Sequence, residues 1–215
     1  MTKQNCLIVL SASELGVSAP SFLQCYKLTQ SALNIHITTP QGSKPAISYR
    51  TGAMILPDVP LKGVFEPRHL FNLPGSQYSC VVIPHSPGAT DDLAQDNHIG
   101  NILTHCLAER KPVCAVGLGV CALLSAKNGE DWAFRDIALT GSSLSEVASL
   151  PVFPRLPVLP GDAVLDRGGV FSTGAPSSIH IVVNAGVITG QNQQSTLSAV
   201  QNMILLVNQR QSKSK

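Results

Sequence analysis

Four short apolar runs, Cys6–Leu10, Asn34–Thr38, Cys80–Pro84 and Val113–Val116, end in turn-forming or small residues and alternate with longer stretches of helical periodicity. Strands too apolar to face water on either side, separated by helices, predict a parallel sheet covered on both faces. Between the last two runs, Ile99, Ile102, Leu103, Cys106 and Leu107 fall at i, i+3, i+4, i+7 and i+8, one apolar stripe of an amphipathic helix. Phe22, Cys25, Tyr26, Thr29 and Leu33 repeat the pattern behind Ser18 as a cap and an early Pro20. Both helices are expected to pack on the sheet.

After Trp132 the texture changes. Pro151, Pro154, Pro157 and Pro160 are expected to interrupt regular structure. Ile179–Val183 and Gly186–Ile188 then flank Asn184 and Ala185 as an antiparallel edge hairpin. Ser195 is the expected cap of a final helix carrying Leu197, Val200, Ile204 and Val207 on one face. Gln209–Lys215 reads as a disordered polar tail and Gln41–Leu73, rich in Pro and Gly, as a surface excursion. With 215 residues, 44% of them hydrophobic, the chain can build one sizeable core, and it divides into a single domain, 1–208, and the tail, 209–215.

Charge removes several functional classes. The net charge is +2 and the dense basic cluster lies in the tail, so no stripe of Lys and Arg can neutralise a run of phosphates and direct nucleic-acid binding is not expected. No segment has the roughly 20 apolar residues needed to span a bilayer, and no long apolar h-region follows Met1–Asn5, so a cytoplasmic location is expected. The six cysteines, Cys6, Cys25, Cys80, Cys106, Cys114 and Cys121, form no CxxC pair and read as small buried hydrophobes. His98, His105 and Cys106 lack a second cluster to complete a metal site and read as part of a surface helix. No metal and no cofactor are expected.

In an open α/β sheet, ligands sit beyond the carboxyl ends of the strands. The turn after the fourth run is the informative one: Val113–Leu124 reads as strand, sharp turn and helix, with Gly117 at the apex where a nucleophile elbow holds its side chain. His85, in the turn after the third strand, would border the same crevice, yet without a visible partner acid it reads as a hydrogen-bonding residue. Gln191 and Asn192 are expected to satisfy backbone in a strand-to-helix turn.

The run Tyr78–Leu124, with "VVIPHSPGATDDL" and "KPVCAVGLGVCALL", followed by "LTGSSLSE" at Leu139–Glu146 and "VITGQNQQS" at Val187–Ser195, resembles the PfpI / class I glutamine-amidotransferase-like superfamily over nearly the whole chain. The resemblance implies a single-domain flavodoxin-like sandwich. It places the catalytic cysteine of active relatives on Gly117 and the histidine that follows it in one branch on Leu118. It also implies an acid near the start of the first helix, where Val17–Pro20 carries none, while Glu14 lies earlier in the loop and is expected to face solvent. The loop that offers N–H groups to an oxyanion reads His85-Ser86-Pro87-Gly88, and Pro87 has no N–H to give.

Three departures on three cooperating catalytic parts make Gly117, Leu118, His85, Ser86 and Gly88 a vestigial pocket with no catalytic residue. Cys121, or Cys114, is the alternative nucleophile, although both are expected to face the core. The resemblance, closest to one vertebrate branch, implies a self-associating interaction subunit of the FERRY complex, an effector of a Rab GTPase that links messenger RNA to early endosomes. Membrane contact would then be indirect, through the Rab. The alternatives are a residual cysteine-dependent hydrolase, glyoxalase or deglycase, and a metabolite-binding sensor.

Overall fold

The computed structural model describes residues 3–40, 42, 68–69 and 74–213. The Gln41–Leu73 excursion therefore lies, apart from Gly42 and a two-residue strand, outside the described residues. In chain order the elements are β1 (Asn5–Val9), α1 (Ala19–Ala32), β2 (Asn34–Thr39), β3 (Arg68–His69), β4 (Cys80–Ile83), α2 (Asn97–Ala108) and β5 (Val113–Val116). A 3-10 helix, Gly117–Ser125, follows. Then come β6 (Lys127–Asn128), β7 (Asp131–Trp132), β8 (Ala138–Leu139), α3 (Leu144–Ala148), α4 (Pro160–Asp166), β9 (Val170–Phe171), β10 (Ile181–Asn184), β11 (Val187–Gly190) and α5 (Thr196–Lys213).

The main sheet runs β10-β11-β5-β4-β1-β2-β3, parallel throughout except for the β10–β11 pair. Each apolar run supplies both faces, because successive side chains on a strand point to opposite sides. Leu7 and Val9 of β1, Val81 and Ile83 of β4, and Val113 and Ala115 of β5 join one core with Ile99, Leu103, Phe134 and Val164. Cys6 and Ile8, Cys80 and Val82, and Cys114 and Val116 join the other, under Phe22 and Cys25 of α1 and Val200, Met203 and Val207 of α5. Full burial of a Leu, Ile or Val contributes about 1.5–3 kcal/mol, so these two layers dominate the stability.

The sheet, its covering helices and the antiparallel edge match the sequence-based expectation, and so do the Ser18 cap of α1 and the buried stripe of α2. Several details differ. The hairpin turn is Ala185–Gly186 rather than Asn184–Ala185, because both central positions of this turn take positive φ (51° and 84°) and glycine accepts the larger angle readily. Asn192, not Ser195, provides the cap near the last helix: its side chain accepts the Ser195 N–H, and a 3-10 turn leads into α5. Leu197 lies on the exposed side of α5, while Val200 and Val207 are buried.

The expected disordered tail from Gln209 is helical as far as Lys213. Arg210 ties it down by donating from Nη1 to the carbonyls of Glu109 and Arg110 at the end of α2, where a cation also answers the helix dipole. Pro160 does not break a helix but begins α4 as its first residue, a position where proline's missing N–H costs nothing. The segment after the elbow is 3-10 rather than α; all nine of its residues are buried, so no amphipathic stripe selects the 3.6-residue period.

Candidate functional site

The strand order reverses between β1 and β4, since the chain adds β2 and β3 on one side and β5 and β11 on the other. Beyond the carboxyl ends of these strands an open α/β sheet offers its crevice. Here the two loops that flank it are bonded to each other. Ser18 N–H donates to His85 O (2.9 Å), Gly88 N–H to Gly16 O (2.9 Å), and His85 N–H to Ser21 Oγ (3.0 Å). Ser86 Oγ donates to Gly16 O (3.1 Å), and Asp92 Oδ2 accepts from Ala12 N–H (2.7 Å) and Ser13 N–H (3.1 Å). The pairing brings Gly88 so close to Ser11 that a Cβ there would lie 2.1 Å from Ser11 Oγ.

Gly117 occupies the elbow with φ +57°, the left-handed conformation a nucleophile elbow requires. The space its side chain would fill holds the His85 ring: a Cβ built on Gly117 would sit 2.1 Å from His85 Nδ1. That nitrogen accepts the Leu118 N–H at 3.1 Å, so the neutral ring carries its proton on Nε2. Burial lowers the His85 pKa to about 4, against an opposing pull from the nearby Glu146 carboxylate. The Leu118 N–H is the group that, in an active elbow, helps hold an oxyanion. The Gly88 N–H, the other candidate donor, already serves Gly16 O. An acyl intermediate formed here would meet neither a nucleophile nor an unoccupied N–H at these positions.

The alternative nucleophiles point elsewhere. Cys114 packs in the layer under α1 and α5 and Cys121 in the opposite one, both with no exposed surface. Burial pushes the Cys121 thiol up to about 12, with Arg167 pulling weakly the other way, and pushes Cys114 well above its ordinary value. At neutral pH Cys121 is therefore held as the thiol, whereas the thiolate is the reactive form. Glu14 is exposed, with Arg155 3.9 Å away, and the first turn of α1 has no acid. Cys106 faces the core, and His105 Nε2 accepts from Lys111 Nζ at 3.1 Å, so His98, His105 and Cys106 do not converge. Among the described residues no three His, Cys, Asp or Glu side chains could hold a metal ion, and no helix is long and apolar enough to cross a membrane.

A polar hub absent from the sequence reading adjoins the elbow. The Glu146 carboxylate accepts Ser143 N–H (3.0 Å), Ser143 Oγ–H (2.9 Å), Ser177 N–H (2.8 Å), Gln191 Nε2 (3.0 Å) and Asn192 Nδ2 (2.8 Å). Burial works to raise its pKa, but the hydrogen bonds from Asn192, Ser177, Ser143 and Gln191 outweigh it and hold the carboxyl below its ordinary value. Gln191 and Asn192 do satisfy backbone, accepting Gly174 N–H and Ser195 N–H, but they also orient this acid. The signal was present in sequence: Ser143-x-x-Glu146 is a capping box, and both of its reciprocal bonds form at the start of α3.

Comparison with solved structures defines the class. The fold matches that of a ThiJ/PfpI domain protein from Brachyspira murdochii (TM-score 0.69, 15% identity, 97% of this chain and 99% of the other). It matches the Rapid Encystment Protein 24 kDa of Francisella tularensis more closely (TM-score 0.85, 18% identity, 95% and 99%) and glyoxalase III from Candida albicans nearly as well (TM-score 0.82, 14% identity, 94% and 96%). No protein-family model matches the chain. Among curated proteins, glutamine amidotransferase-like class 1 domain-containing protein 1 of Xenopus laevis is 42% identical over 98% of this chain and 93% of its own length. The human protein of that name is 40% identical over 95% and 94%. The chain belongs to the glutamine amidotransferase-like class 1 domain-containing protein 1 family, on a ThiJ/PfpI fold.

Proposed function

We propose that this chain is a catalytically silent PfpI-type domain that works as a self-associating interaction subunit of a FERRY-type assembly, a Rab effector linking messenger RNA to early endosomes. The supporting observation is the His85 ring seated in the elbow: the nucleophile position is glycine, and the adjoining Leu118 N–H is already bonded. A family name that describes a fold carries no activity with it. The assembly role itself comes from the likeness to the vertebrate relatives. Contact with the membrane runs through the Rab, and RNA is held mainly by other subunits.

The competing reading, a residual cysteine-dependent hydrolase, glyoxalase or deglycase, would have to use Cys121 or Cys114, neither of which has any exposed surface. The deciding experiment is affinity purification of the tagged chain from cell extract, run beside a His85→Gln form. Stoichiometric recovery of the same Rab-effector subunits with both forms is the expected outcome. Recovery of the chain alone, together with methylglyoxal turnover that Cys121→Ala abolishes, would replace this reading with the enzymatic one.

A further inference from the structure

The end of the sheet opposite the elbow has a pocket of its own, about 250 Å³ in volume and lined by Gln4, Ser79, Lys111, Val207 and Arg210. The topology brings these residues together. Gln4 and Ser79 immediately precede β1 and β4, Lys111 stands two residues before β5, and Val207 and Arg210 lie on the last turns of α5. Two cations, a hydroxyl, a carboxamide and one apolar side chain thus meet around one cavity, and among the described residues no acid lines it.

Both cations are held in place. Lys111 Nζ donates to the carbonyls of Gly75 (3.2 Å) and Ser76 (3.4 Å) and to His105 Nε2 (3.1 Å). Arg210 Nη1 donates to the carbonyls of Glu109 and Arg110. Burial pushes the neighbouring Cys106 thiol up to about 12, and Lys111 and Arg210 both pull against that rise, as two positive charges on one wall would. A purely structural reading is that the cations tie down a turn and a helix end. For Lys111 that role uses neutral acceptors and leaves the ammonium charge uncompensated: among the described residues it pairs with no carboxylate.

We propose that this pocket binds the phosphate group of a small phosphorylated metabolite. A phosphate monoester carries about −1.5 to −2 charge at neutral pH and three acceptor oxygens, which matches one ammonium and one guanidinium. Ser79 and Gln4 add neutral donors of the kind that fix orientation, and Val207 gives the carbon skeleton an apolar wall. The guanidinium suits a tetrahedral oxyanion because its planar fork can donate two parallel hydrogen bonds.

Calorimetric titration with inorganic phosphate and with glycerol phosphate, at ionic strength held constant with sodium chloride, tests the site. Saturable binding at one site per chain is expected, weakened at least tenfold in Ser79→Asp. This variant adds a carboxylate to the lining of the pocket while leaving the cations' bonds to backbone intact. Lys111→Gln should weaken binding as well. Absence of saturable heat in the unmodified chain, or unchanged affinity in Ser79→Asp whatever Lys111→Gln does, overturns the proposal. Should Ser79→Asp fail to fold, Gln4→Glu brings the same charge from the neighbouring strand and is judged by the same criterion.

Discussion

His85 Nδ1 accepts the Leu118 N–H at 3.1 Å, and in doing so its ring takes the place where residue 117 would project a side chain. The two positions are therefore coupled: Gly117 must stay glycine for as long as His85 stays where it is.

Placing a cysteine at the elbow alone should consequently destabilise the chain. Gly117→Cys places a Cβ about 2 Å from an imidazole nitrogen and asks an L-residue to hold φ +57°, so a loss of about 2–4 kcal/mol is expected, combining overpacking with left-handed strain. The double variant Gly117→Cys/His85→Ala should recover at least half of that loss. Urea denaturation of the four members of the cycle measures the coupling; additive effects would refute it.

Acid should weaken the fold through the same histidine. His85 in the native chain releases its proton by about pH 4, whereas the unfolded chain holds it up to about 6.5. Between those values the unfolded state binds more protons, so stability rises with pH across this window, is complete above about 6.5, and is lost as pH falls through about 4. The difference corresponds to about 3 kcal/mol. Urea midpoints at pH 4.5, 5.5 and 7 should show this slope in the unmodified chain and a flatter one in His85→Gln; parallel slopes would contradict the buried, neutral assignment.

Glu146 tests the hub from the other side. In Glu146→Gln a single acceptor oxygen faces donors that now satisfy two, and the new amide hydrogens approach the Asn192 and Gln191 amides. The carboxylate is only partly buried, so screening limits the expected cost to about 1–2 kcal/mol. Hydrogen exchange provides the local readout: the Ser177 N–H, bonded to Glu146 Oε1 at 2.8 Å, should lose protection in the variant while the amides of β4 and β5 keep theirs.

Thiol chemistry gives the most direct check on the cysteines. All six are free and buried. Ellman's reagent should therefore titrate close to none of them in the native protein and six after guanidinium is added. Rapid native labelling that Cys121→Ala removes would restore Cys121 as a candidate nucleophile.

The sheet was legible because strands buried on both faces read as short, nearly continuous apolar runs, and these alternate with stretches of helical period. The β1, β4 and β5 runs were placed to within a residue, and α2 followed from a stripe that α2 does bury. What stayed hidden depended on distant partners. No local pattern shows that Arg210 will find the end of α2 and carry the helix through Gln209–Lys213. Glycine at position 117 was visible as a missing nucleophile, but its spatial counterpart, an imidazole 32 residues earlier that fills the vacancy, needed coordinates. Glu146 could have been found from its capping box alone. Its second oxygen's use by Ser177 and Asn192 could not, since those residues lie 31 and 46 positions away.

The bonds among Gly16, Ser18, His85, Ser86 and Gly88 have a mechanical consequence. In most sheets of this order the junction between the two halves is where a guest molecule wedges in and where the halves can shift against each other. Here hydrogen bonds from backbone and from Ser86 span that junction and hold the two loops against each other. Loops already tied in this way have little conformational freedom left to give up when a ligand or a partner docks against them.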